Sequence, residues 1–150
     1  MAAAIDSRTG LEVLDRDECI ALLEHNSHSL GRLAVVVDGR PLVFPVNFTL
    51  DGDAIVMRTD EGTKLYGARN GPVAFECDGA DSLYHTGWSV LVVGVAEEVT
   101  GAVEIARLEH LPLGLWCSGP KGTWLRIRLR TITGRRIPPH GLSRTEGVSQ

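Results

Sequence analysis

The run Gly87-Trp88-Ser89-Val90-Leu91-Val92-Val93-Gly94-Val95-Ala96-Glu97-Glu98-Val99-Thr100 decides the fold. Apolar residues fill nearly every position from Val90 to Ala96, as expected of a central strand with both faces covered. The run is strand-sized, well short of membrane-spanning length. Gly94 interrupts it. One face would meet a barrel core. The other must be covered by something, and a second subunit is the simplest candidate.

Outward from this strand, the chain alternates apolar runs with turn signals. Asp15, three residues before Glu18 and ahead of Cys19-Ile20 and Leu22-Leu23, is a capping-box start to a helix reaching about His25. Leu30 to Val37 reads as a strand, with Asp38-Gly39 as its hairpin turn. Pro41 to Leu50 is the second strand, and Pro45 in its middle implies an edge or a bulge. Asp51-Gly52-Asp53 turns the chain into a third strand, Ala54 to Thr59. A short helix covers Thr63 to Arg69 and closes at Asn70-Gly71. Pro72 to Asp78 is a fourth strand, followed by a loop to Tyr84. A second helix fits Val103 to His110, and 111–122 reads as irregular. Thr123 to Ile132 closes the pattern as a sixth strand. The first ten residues read as a loose tail. Six strands, hairpin turns and few helices suggest a mainly β fold, a closed antiparallel barrel.

Bulk properties narrow the function. The chain has 150 residues, 43% hydrophobic and 23% charged, which suits one soluble domain. Its net charge of −4 and pI of about 5.7 argue against a general nucleic-acid binder. No membrane-length apolar run and no secretory leader are evident. Cys19, Cys77 and Cys117 are widely spaced, and no Cys-x-x-Cys pair exists, so neither a zinc site nor a disulfide framework is indicated. Free thiols fit a reducing cytoplasm. The five histidines form no ligand-spaced cluster, so no metal is expected.

The most informative polar stretch is Arg58-Thr59-Asp60-Glu61-Gly62-Thr63-Lys64. A strand end delivers an arginine and a hydroxyl, and a helix start offers a second hydroxyl, open backbone N–H groups and a lysine. These are the parts of a phosphate cradle: a fork donor, a point charge and a helix N-terminus. A solvated surface turn has the same composition. On the closing strand Leu125, Ile127 and Leu129 point one way, and Trp124, Arg126, Arg128 and Arg130 the other. Trp124 beside Arg126 can stack on and hydrogen-bond a flat heteroaromatic ring. At Pro45-Val46-Asn47 the proline removes a ladder donor, so neighbouring backbone groups are open to a ligand edge. Trp88-Ser89 opens the fifth strand, where core packing is the plainer role for the indole. Ser89 has no nucleophile elbow around it, and Glu97-Glu98 face opposite ways. The chain offers groups that hold a ligand and no complete catalytic constellation, which suits a protein whose cofactor carries the chemistry.

These residues resemble the pyridoxamine 5'-phosphate oxidase-like, FMN-binding split-barrel family, in its small, largely actinobacterial and nitroimidazole-resistance-like branch. The likeness covers about Leu14 to Ile137. It rests on Gly31-Arg32-Leu33, Pro45-Val46-Asn47-Phe48, Arg58-Thr59 with Gly62-Thr63-Lys64, Gly87-Trp88-Ser89-Val90 with Gly94, Trp124-Leu125-Arg126-Ile127, and Ile132-Thr133-Gly134-Arg135. The resemblance implies a six-stranded antiparallel split barrel over 14–137, with flexible tails at 1–13 and 138–150. It implies a homodimer with flavin sites between the subunits. Arg58, Thr59, Thr63 and Lys64 would grip the FMN phosphate, and Pro45, Val46 and Asn47 would line the flavin ring. Trp88, Ser89, Trp124 and Arg126 would complete the site, some of them from the partner. The implied activity is that of a flavin-dependent oxidoreductase, a reductase of a small organic or nitroaromatic substrate, with a separate electron donor and no nucleic acid or membrane partner. The arginine and histidine cluster that binds substrate phosphate in true pyridoxamine phosphate oxidases is not found, so vitamin B6 oxidation is not implied. A deazaflavin in place of FMN, or a non-catalytic protein that holds flavin or haem, are the alternatives.

Overall fold

The computed structural model describes residues 4–26, 30–113 and 122–139. Cys117, most of the irregular segment expected at 111–122, and residues 140–150 lie outside them. Where the sequence carries explicit stop and start signals, the elements follow it. Helix α1 spans Arg16–His25. Its capping box is formed: the Asp15 carboxylate accepts from Glu18 N at 2.8 Å, and the Glu18 carboxylate accepts from Asp15 N at 3.0 Å. Strands β3 (Leu30–Val37) and β4 (Arg40–Asn47) are joined through Asp38 and Gly39, both left-handed at φ 52° and 75°. β5 (Thr49–Asp51), β6 (Ala54–Thr59), α2 (Thr63–Arg69), β7 (Pro72–Asp81), β8 (Thr86–Val99) and α3 (Ala102–Glu109) follow.

Several expectations change, and β7 runs on to Asp81 where a loop was expected after Asp78. The stretch read as a loose tail contains two short paired strands, β1 (Ala4–Ile5) and β2 (Glu12–Leu14). They are too short to show a hydrophobic period of their own; pairing with the far end of the chain orders them. The second expected strand is two, because the chain passes from one sheet to the other at Phe48, where Phe48 and Thr49 are both buried. The closing strand is likewise two, β9 (Thr123–Arg128) and β10 (Thr131–Ile137). The reversal at Leu129-Arg130 carries neither Gly nor Pro. It is fixed by Leu129 N donating to Asp53 O at 2.8 Å.

All pairings are antiparallel. One sheet runs β1-β2-β10-β8-β7-β3-β4, and a shorter ladder runs β5-β6-β9. β8 belongs to both. Its first part pairs with β7 and β10, and Ala96 to Val99 pair with β9. Among the described residues β4 and β5 share no ladder, so the barrel is split rather than closed, which corrects the closed-barrel reading. As the last strand of its sheet, β4 tolerates Pro45 without the cost of a missing central hydrogen bond.

The main core lies inside this curved wall and includes Leu33, Phe48, Ile55, Met57, Phe75, Val90, Val92, Leu125 and Ile127. Phe48 and Phe75 meet edge to face, with centroids 4.9 Å apart. Each large side chain so buried contributes about 1.5–3 kcal/mol. α1 packs on β10, and α2 on β3 and β8. A Cβ on Gly134 would stand 2.6 Å from Cys19 Sγ, and one on Gly67 2.7 Å from Val35, so both helices ride directly on strands. A second, smaller core of Val56, Val99, Leu108 and Trp124 sits between the short ladder and α3.

Candidate functional site

β6 and β9 place Arg58 opposite Trp124 and Thr59 opposite Thr123. Alternation then puts Val56, Arg58, Trp124 and Arg126 on one face, the face under α3. The Arg58 guanidinium carbon lies 5.2 Å from the centre of the Trp124 ring, a cation–π distance. Trp124 is 2% exposed. Two buried donors in this pair, Arg58 Nε and Trp124 Nε1, have no hydrogen-bond partner among the described residues. A buried N–H without an acceptor costs about 1–3 kcal/mol, so a neighbouring pair of them fits a ligand that brings acceptor oxygens.

Arg126 shares the face but is engaged elsewhere. Its guanidinium donates to Glu104 at 2.7 Å, and its side chain is 14% exposed. Glu104 also accepts from Arg107, which grips Asp51 with two bonds of 2.8 and 2.7 Å. The Arg107 hydrogen bonds hold the Asp51 and Glu104 carboxyls below their ordinary range. This network clamps α3 onto β5 and β9. No sequence signal marks Glu104 as the partner of Arg126, since the two meet only through the fold.

The Thr59 hydroxyl is fully buried and donates to the Asp60 carbonyl at 3.2 Å. It is turned inward, away from a phosphate approaching the turn. Gly62, at φ 152°, stands at the N-cap of α2 and supplies no side-chain cap bond, and Thr63 and Lys64 open the first turn. Lys64 Nζ stands 5.9 Å from the centre of the Phe44 ring, which brings the start of α2 to the β4 segment that carries Pro45, Val46 and Asn47. Val46 packs into the main core, so only its backbone can face a ligand; Pro45 is exposed and Asn47 half-buried. Arg69, at the other end of α2, holds Glu98 through bonds of 2.8 and 2.9 Å and fixes the helix against β8.

Trp88 and Ser89 do not join this group within one chain. Trp124 pairs with Val99, whereas Trp88 pairs with Gly79 and Arg136 near the opposite end of β8. At about 3.3 Å per residue the two places are on the order of 30 Å apart along the strand. Beside Trp88 lies a concavity of about 490 Å³ lined by Gly79, Ala80, Asp81, Thr86, Gly87 and Arg136. A neighbouring lobe of about 410 Å³ adds Ser89 and Arg135. Arg135 and Arg136 were not among the expected site residues; Arg135 closes the Ile132-Thr133-Gly134-Arg135 run and Arg136 follows it. Among the described residues, no group of three or more His, Cys, Asp or Glu could hold a metal.

Residues 15–136 match the pyridoxamine 5'-phosphate oxidase family. The chain belongs to that family. A chain of Mycobacterium tuberculosis, itself uncharacterized, is 34% identical over 83% of this chain and 84% of its own length. The solved FAD binding protein of Mycobacterium smegmatis is 38% identical, with a TM-score of 0.71 over 84% of this chain and 99% of that one. An FAD-binding protein from Mesorhizobium loti is similar in fold, with a TM-score of 0.72 at 23% identity over 85% of this chain and 99% of that one. In this pyridoxamine 5'-phosphate oxidase relative, the split barrel and the order of its strands therefore have solved counterparts.

Proposed function

We propose that the protein binds a flavin nucleotide between two copies of itself and acts as a flavin-dependent oxidoreductase on a small organic substrate. The observation that carries the reading is the Arg58–Trp124 pair with its two buried N–H groups that find no partner among the described residues, next to the start of α2. Arg58 and Lys64 would balance the phosphate, with Thr63 beside them and Thr59 only after its hydroxyl leaves Asp60. The exposed edge at Pro45 and the backbone of Val46 and Asn47 would orient the ring and keep water from one side. Trp124 forms the apolar floor, and Arg126 reaches the ligand only when Glu104 lets go. Trp88 and Ser89, remote in one chain, would come from the second copy. A bound flavin supplies the electron transfer itself.

FMN is the expected cofactor. The FAD-binding description of the 38% identical M. smegmatis protein favours FAD as the second reading. A cytoplasmic location is part of this reading and is supported by Cys19 and Cys77, which are both buried and outside any disulfide. No helix among the described residues is long and apolar enough to cross a membrane.

Titration of the purified protein with FMN, FAD and a deazaflavin, followed by visible absorbance, tests the reading and ranks the cofactors. Uptake at micromolar concentration is expected. Arg58→Ala with Lys64→Ala should weaken it tenfold or more, on the scale of about 1.5–3 kcal/mol for charge-assisted contacts. Unchanged affinity in the double variant would move the phosphate elsewhere, and a protein that takes up none of the three would sink the flavin reading. Bleaching of the bound flavin by a reduced nicotinamide, reversed by a nitroaromatic acceptor, would separate an enzyme from a flavin-holding protein.

A further inference from the structure

The outward face of the large sheet holds one charged cluster inside an apolar field. Glu76 and Asp78 are two apart on β7 and so face the same way. Arg32, opposite Glu76 on β3, serves both carboxylates, with its Nη1 3.3 Å from Asp78 and 3.9 Å from Glu76. The other flank of Glu76 is Leu91 of β8, and Ala34, Ala74 and Val93 continue the same face. The charged groups that bear on Glu76 are Asp78 and Arg32; Arg135 of β10 lies beyond Ser89, opposite Asp78. Two anions therefore share one cation, and Asp78 has the shorter contact.

Water stabilises the excess negative charge while the face is open. A second copy laid on the face removes that water, and an unbalanced carboxylate in an apolar contact is costly. We propose that association of two copies through this face takes up solvent protons, and that the Glu76 carboxylate of each copy receives them. The protonated carboxyl can donate its O–H to Asp78, leaving Asp78 and Arg32 as a balanced pair. Even in the single chain, desolvation first, then the hydrogen bond and charge of Asp78, push the Glu76 carboxyl up from 4.5 to about 7, against the pull of Arg32. Covering the face moves it further in the same direction. The copies should thus hold together tightly below neutral pH and loosen as pH rises past 7.

The inference rests on the homodimer reading, and the test separates the two. The dissociation constant of the full chain is measured by dilution at about pH 6 and about pH 8.5, with up to tenfold weakening per pH unit expected for each proton taken up. Glu76→Gln should flatten the dependence. A wild-type dimer equally tight at both pH values, or a dependence that survives in Glu76→Gln, overturns the proposal while leaving the dimer intact. A monomer at every pH overturns the dimer reading beneath it. For a dimer too tight to dilute apart, the same comparison is made on the urea midpoint of dissociation. Should Glu76→Gln misfold, Asp78→Asn decides the matter, because Glu76 facing Arg32 alone must shift the dependence to lower pH.

Discussion

One face of β8 meets two fates along its length. At Val99 it is buried under α3 with Val56, Leu108 and Trp124. At Leu91, Val93 and Val95, on the same face, it is 40%, 43% and 65% exposed. The chemistry of the side chains is the same; what differs is the cover the chain itself provides. α3 has 8 residues, so it is about 12 Å long at 1.5 Å per residue. β8 has 14, which extend to roughly 45 Å at about 3.3 Å each. The helix cannot reach the first half of the strand. Val36 of β3 and Val43 of β4 enlarge the bare region farther along the same sheet. A soluble chain rarely leaves so contiguous an apolar face open unless something docks on it.

The largest expected effect breaks the covered end. Leu108→Ala should cost about 2–5 kcal/mol in urea unfolding, because α3 loses its fully buried anchor and Trp124 loses a wall. A cost near zero would mean that α3 is not what seals Trp124. A smaller effect breaks the bare end. Val93→Asp should leave the fold intact and weaken self-association by about a hundredfold or more, since a carboxylate would be buried on both sides of a symmetric contact. Sedimentation velocity reads this, and an unchanged dimer would place the interface elsewhere. The smallest effect sharpens the comparison through pH. The Arg107 hydrogen bonds hold the Asp51 carboxyl below its ordinary 3.8, so the stability it lends is present above that value and fades as pH falls through the lowered one. Asp51→Asn should flatten that acid limb of the unfolding profile. Glu76 has the opposite sign, raised from 4.5 to about 7, so fold stability drains as pH climbs between those values, and Glu76→Gln should remove the slope.

Much of the fold was legible because its signals are local. The Asp15/Glu18 capping box, Asp38-Gly39 and the Thr63 to Arg69 helix need only their own neighbours, and they fall where the sequence places them. The alternation on the closing strand also holds, with Leu125, Ile127 and Leu129 in the main core and Trp124 on the far side. The reversal after Arg128 was not legible, since a backbone bond to distant Asp53 makes it. At the site, residue types in the Arg58 to Lys64 turn could be read, but not their engagements. Thr59 turns inward and Arg126 answers to Glu104, and both depend on which face α3 covers. Sequence order also hides that Trp88 on β8 and Trp124 on β9 lie at opposite ends of β8.

The ladder between β2 and β10 has a consequence in time. Leu14 pairs with Gly134 and Glu12 with Arg136, and Arg16 donates to the Leu129 carbonyl. Contacts of such long sequence separation slow folding, because the intervening loop must close before they reward it. At roughly 5–20 residues per second on the ribosome, α1 and its flanking strand wait several seconds for their partner to be made. From the completion of β8 at Val99 until β10 is made, the nascent sheet has an unpaired β8 edge, so this is the stage at which a chaperone, or a second nascent copy, has the most backbone to hold.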